Sequence, residues 1–163
     1  MKLILILLLI FLGGTNAPTQ DPSASSGAAS SQTVITSDSL DLNLGKSTEK
    51  KQGIFRGNVK VDEPRFTMSS KEMTVFFADD DSVQEVEARE DVVIKRKDGS
   101  SEAISEKAVY NMKEKKLTLL KVTKQPRVVS QDKTVFADKI ILYPEKDEML
   151  AEGANRVMLQ KAP

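Results

Sequence analysis

The chain has 163 residues, and its 24 Lys plus Arg balance 24 Asp plus Glu at a formal charge of zero; that is room for one domain and offers no basic footprint for a nucleic acid. It contains no His, Cys or Trp, which removes the commonest general base, the thiolate nucleophile, the soft metal ligands and any disulfide. A Ser-His-Asp or Cys-His engine cannot be built from this alphabet, so no enzyme activity, cofactor or metal is expected, and only carboxylates, Lys and Tyr are left for chemistry.

Lys2 precedes an unbroken apolar run, Leu3 to Leu12. A helix needs about 20 residues to cross a bilayer, so this shorter run reads as the h-region of a secretory signal peptide over residues 1–17. Thr15-Asn16-Ala17 supplies a small-x-small cleavage site, while Pro18 after it works against processing; a short retained N-terminal tether is the other reading. With no Cys near the site, a lipoprotein anchor is excluded. Residues 18–32 are rich in Ser and Ala and carry only Asp21 as a charge. They hold too little apolar content to fold and are expected to form a disordered linker.

From Thr33 onward, short segments alternate apolar and polar residues, the period of half-buried strands. Gly57-Asn58-Val59-Lys60-Val61 and Glu90-Asp91-Val92-Val93-Ile94 are clear cases, and Thr134 to Ala137 and Ile140 to Tyr143 are denser. Turn formers separate them: Gly45-Lys46, Asp62-Glu63-Pro64, Ala78 to Ser82, Lys97-Asp98-Gly99 and Pro144 to Asp147. Ile104, Ala108 and Met112 are spaced as on a helix face, but a repeat argues for strand. Ser37 to Leu42, Ser70 to Val75, Ser105 to Tyr110 and Ala137 to Leu142 share one pattern: a small residue, two polar ones, then apolar positions two apart. Gly57-Asn58-Val59, Glu90-Asp91-Val92, Lys124 to Val128 and Gly153 to Val157 form a second recurring half. One supersecondary unit copied along a stack must borrow its core from its neighbours. The expectation is an all-β fold over residues 33–161: an elongated, slightly twisted antiparallel β jelly roll of about four repeated units, open at its ends.

Two ordered runs carry a family resemblance. Val34-Ile35-Thr36-Ser37-Asp38-Ser39 leads into Phe55-Arg56-Gly57-Asn58-Val59-Lys60-Val61, and Phe136-Ala137-Asp138-Lys139-Ile140 leads into Ala151-Glu152-Gly153 and Asn155-Arg156-Val157. This set resembles the OstA-like periplasmic proteins of lipopolysaccharide transport, the LptA type in particular. The chain departs from the pattern at Glu90 and Lys124, which stand where the units on either side have Gly. The resemblance implies a periplasmic, non-enzymatic bridge protein. Such a protein shields lipopolysaccharide acyl chains in an apolar groove, passes them between inner-membrane and outer-membrane components, and stacks end to end with its own kind.

On that reading, inward strand positions form the lipid lining: Phe55, Val59, Val61, Phe66, Met68, Met73, Val75 and Phe77 in the first half, then Val92, Ile94, Ile104, Tyr110, Leu117, Leu119, Phe136, Ile140 and Leu142. Ordinary core packing explains the same residues equally well. Lys95-Arg96-Lys97 with Arg56, Lys60 and Arg65 could meet lipid phosphates or simply be solvated. Asp79-Asp80-Asp81 lacks the spacing of a calcium loop and reads as a turn. Thr33 to Leu44 and Arg156 to Gln160 are candidate docking edges, because edge strands carry unpaired backbone groups. The competing readings are an inner-membrane-tethered, LptC-like component of the same pathway, a β-repeat protein with no lipid ligand, and a carboxylate hydrolase, for which no converging acid pair is marked.

Overall fold

A computed structural model of the chain describes residues 4–7, 32–45 and 50–160. The remainder of the expected signal peptide, and the linker as far as Ser31, lie outside the described residues. The described chain is strand and turn throughout, joined in one antiparallel sheet of 13 strands. These are β1 (Ile4–Leu7), β2 (Thr33–Thr36), β3 (Ser39–Asn43), β4 (Gln52–Asp62), β5 (Phe66–Phe77), β6 (Val83–Arg96) and β7 (Ser101–Asn111). They continue as β8 (Lys116–Leu120), β9 (Arg127–Ser130), β10 (Lys133–Phe136), β11 (Lys139–Tyr143), β12 (Glu148–Glu152) and β13 (Arg156–Leu159). The segment Ser105 to Tyr110 lies within β7, so it is strand and not helix.

The sheet is folded along a crease. Pairing slips where β4 meets β5, where β5 meets β6 and where β6 meets β7, between Arg56 and Val59, Ser69 and Glu72, and Arg89 and Val92. On one side of that line the long strands continue through β2, β9, β10 and β13, which we call the first leaf. On the other side they continue through β3, β8, β11 and β12, the second leaf. The repeat starts mark this line, because each of the four sequence repeats begins where the chain turns from one leaf to the other.

The crease has a chemical fastener in every unit. The polar residue after the small one reaches across to the bend in the next strand. Asp38 accepts from Asn58 Nδ2 at 2.7 Å, and its own backbone N–H donates to Gly57 O. Lys71 pairs with Glu90 and Asp91. Glu106 accepts from the backbone N–H groups of Thr123 and Lys124, and Asp138 accepts from that of Ala154. The small residue itself is explained too. The hydroxyls of Ser37, Ser70 and Ser105 each donate to the backbone carbonyl two residues on. Ser70 and Ser105 are buried while doing so.

The bends need left-handed backbone, the region that favours glycine. Gly57 and Gly153 supply it with φ of 75° and 81°. At the departing position Glu90 and Asp91 adopt it without glycine, at 59° and 53°. The third bend, at Lys124-Gln125-Pro126, uses the extra residues and a buried proline instead.

Candidate functional site

The two leaves enclose an apolar interior whose side chains line up as cross-strand rows. In the first leaf Ile35, Val61, Met68, Ile94, Ala103, Val128, Val135 and Val157 are successive partners. In the second, Leu40, Phe55, Met73, Ala88, Ala108, Leu119, Ile140 and Ala151 form one row. Leu42, Gly53, Val75, Val86, Tyr110, Leu117, Leu142 and Met149 form another beside it. Rows from both leaves meet in two hydrophobic clusters, one around Val92, Leu119 and Ile140 and one around Phe55, Val59, Met73 and Val75. Each fully buried side chain of this size is worth about 1.5–3 kcal/mol to folding, so the interior serves first as the core.

Most expected lining positions fall on these inward rows. Phe55, Val59, Val61, Met73, Val75, Val92, Leu119 and Ile140 are buried, and Met68, Phe77, Ile94, Leu117 and Leu142 pack half-buried against them. Phe66 shares the face of Met68 toward the outer rim, and Tyr110 sits in the inward row of β7. Two positions are corrected. Ile104 pairs with Val93 and Arg127, and Phe136 pairs with Arg127 and Arg156, all on the outward face of the first leaf. Arg156 covers the Phe136 ring at 4.5 Å. The inward residues beside them are the smaller Ala103 and Ser105, and Val135 and Ala137. Sequence reading missed Ile35, Val128 and Val135 as inward residues; their alternation was visible, but their strands are only four residues long.

The rows do not end in polar plugs. At the far edge Val157 is 52 % and Leu159 80 % exposed on β13, and exposed Met149 ends an inward row on β12 of the other leaf. At the near edge Leu42 and Leu44 are exposed. The expected first edge, Thr33 to Leu44, is two strands that belong to different leaves, and β12 is an edge that sequence reading did not single out. β2 takes the short strand β1 along its side.

The basic residues are mostly neutralised. Arg56 pairs with Glu72 and Asp41, Arg65 with Glu63, Lys95 with Glu102, Arg96 with Asp98 and Asp147, and Lys97 with Asp62. Asp79 to Asp81 form a turn closed by Ser82 and tied to Lys51. No group able to hold a metal ion occurs among the described residues. The strongest electrostatic perturbations are in turns and along the crease. The Thr123 hydroxyl and neighbouring backbone N–H groups hold Glu106 at about 2. Lys121, the Ala154 N–H and Gln125 hold Asp138 at about 2. Ser100 and Arg96 do the same for Asp98 in the β6–β7 turn. These carboxylates are fasteners, with no converging pair suited to acid–base work. A cavity of about 690 Å³ opens at the strand ends of the second leaf, but Lys50, Lys51, Asp79, Gln84, Glu85 and Asn111 make its lining largely polar. Among the described residues no helix is long and apolar enough to cross a membrane.

Residues 34–148 match the family described as LptA/(LptD N-terminal domain) LPS transport protein. The chain belongs to this family. The LptA/LptD N-terminal family is one of non-enzymatic transport proteins, in keeping with the missing catalytic alphabet. Among solved structures the chain resembles LptH from Pseudomonas aeruginosa, described as the LptA homologous periplasmic component of the conserved lipopolysaccharide transport device. The TM-score is 0.66 at 16 % identity, covering 80 % of this chain and 95 % of LptH. At that identity the likeness establishes the LptA-like fold. No curated protein matches the chain at a significant level.

Proposed function

We propose that this LptA-family protein is a periplasmic carrier that shelters lipopolysaccharide acyl chains between its two leaves and passes them from inner-membrane to outer-membrane components. The observation that carries this reading is the set of apolar rows that run from one edge of the sheet to the other, of which the row from Leu42 to Met149 emerges exposed at both edges and the first-leaf row emerges exposed at Val157. Each methylene moved out of water is worth about 0.8 kcal/mol. An isolated deep pocket would therefore hold several acyl chains too tightly to release them. A continuous apolar path avoids that trap, since every step exchanges one greasy contact for another.

The edges support a handover from copy to copy. Among the described residues β3 pairs only with β4, and β12 only with β11. Between them the second leaf alternates direction strand by strand, so β12 of one copy would lie antiparallel to β3 of the next. In that alignment the inward rows run on, Ala151 to Leu40 and Met149 to Leu42. Backbone pairing at such an edge is the usual means of strand addition.

The test is site-specific photocrosslinking in living cells. A photoreactive residue at Val75 or Ile140 is expected to capture lipopolysaccharide, whereas the same residue at outward Ile104 or Phe136 captures little. Equal yields at inward and outward positions would refute the interior as the path.

A further inference from the structure

The interior is filled by its own side chains: Leu119, Ile140 and Val92 have no exposed surface. Acyl chains can enter only where the leaves part. At the crease the leaves are one continuous backbone fastened in every unit, so parting must begin at the opposite rims. There the turns of the first leaf (residues 63–65 and 97–100) face those of the second (residues 112–115 and 144–147). One ion pair joins these rims among the described residues: Arg96 Nη1 to Asp147 Oδ1 at 3.4 Å.

The location of Arg96 is what makes this pair more than a surface contact. Arg96 is the cross-strand partner of Phe66 and lies two residues beyond inward Ile94. Its side chain therefore leaves from the apolar face and ends at the rim, held on its own side by Asp98. Opposite, on the second leaf, Tyr110 is the last inward residue of β7 before the turn into β8. The seam thus has Phe66 on one leaf and Tyr110 on the other, and at its rim a cation that is forked by Asp98 on its own leaf and met across the gap by the exposed Asp147. Asp147 is 85 % exposed, and such a pair contributes little to stability.

We propose that this seam is a side portal for a phosphate-bearing amphiphile: its acyl chains pass between Phe66 and Tyr110 while its phosphate replaces Asp147 on Arg96. A phosphate gives Arg a bidentate partner in place of a single carboxylate contact. The headgroup then stays in water as the tails go in. The proposal rests on the carrier reading above and adds the route and the residue that reads the headgroup.

The chain has no Cys, so a staple can be placed cleanly. Arg96→Cys with Asp147→Cys in the full chain is joined by a three-carbon bis-methanethiosulfonate, and uptake of fluorescent bisphosphorylated lipid A is followed before and after reduction. The stapled protein is expected to lose lipid uptake and to regain it on reduction, because both forms lack Arg96 and differ only in whether the seam can open. In unstapled protein, Arg96→Gln is expected to erase the preference for phosphorylated over dephosphorylated lipid A. Asp147→Asn is expected to speed uptake and keep that preference. Equal uptake by stapled and reduced protein would overturn the portal and leave the sheet ends as the route. Failure of the native chain to bind lipid A at all would overturn the carrier reading and the portal with it.

Discussion

Replacing Gly57 with Ala tests the logic of the crease. Gly57 sits at φ 75°, and a Cβ there would stand 2.4 Å from Asp38 Oδ2 and 3.0 Å from both Asp38 Cβ and Cγ. Left-handed backbone costs a non-glycine residue about 1–2 kcal/mol. Since the clash reaches Asp38 Cβ, the carboxylate cannot merely swing aside, and its hydrogen bond from Asn58 is lost at about 1.5 kcal/mol. The alanine chain loses less entropy on folding, which offsets about 0.5 kcal/mol. The net expectation is a loss of about 2–3 kcal/mol. With no Trp in the chain, urea unfolding followed by far-ultraviolet circular dichroism is the assay. The mirror change, Glu90→Gly, relieves the same strain at φ 59° but frees the unfolded chain and removes one of the two Lys71 partners, so it is expected to raise stability by only about 0.5 kcal/mol. A Gly57→Ala protein within about 0.5 kcal/mol of the parent, the scatter of ordinary surface changes, would refute the reasoning, as would shifts of the same sign at both sites.

Leu119→Ala empties a fully buried position where the two leaves meet and is expected to cost about 3 kcal/mol, whereas outward, half-buried Ile104→Ala should cost about 1 or less; urea midpoints separate them. Glu106 and Asp138 titrate in the folded chain at about 2 instead of 4.5 and 3.8. Their contribution is therefore full above those ordinary values and is lost as pH falls through about 2. Stability should decline across that window, and Glu106→Gln should flatten part of the decline when midpoints are followed down the acid limb.

The repeat was legible because each unit states its pattern twice, once as a small-polar start and once as a bend before an apolar strand. Strand phase was legible where inward residues are large, as in Met73-Thr74-Val75. It failed at Ile104 for a definite reason. In β7 the inward positions are 103 and 105 before the crease but 108 and 110 after it. Counting back by twos or fours from Tyr110 therefore lands on the wrong face. Phe136 failed through size, since a large aromatic outranks Val135 in any apolar count yet is covered by Arg156 on the outside. What stayed hidden was the partner of each polar residue at a repeat start, because the bend it fastens lies a strand away and the fastening charge changes sign between Asp38 and Lys71.

That change of sign has a consequence for how such a protein can grow. Asp38, Lys71, Glu106 and Asp138 each secure a bend nearby in the same stretch of chain, so every module brings its own rivet. A gene segment duplicated in tandem would arrive already able to turn its corner, whatever its neighbours carry. Lengthening the molecule then requires compatible apolar rows and nothing else, and drift at one corner is confined to that corner.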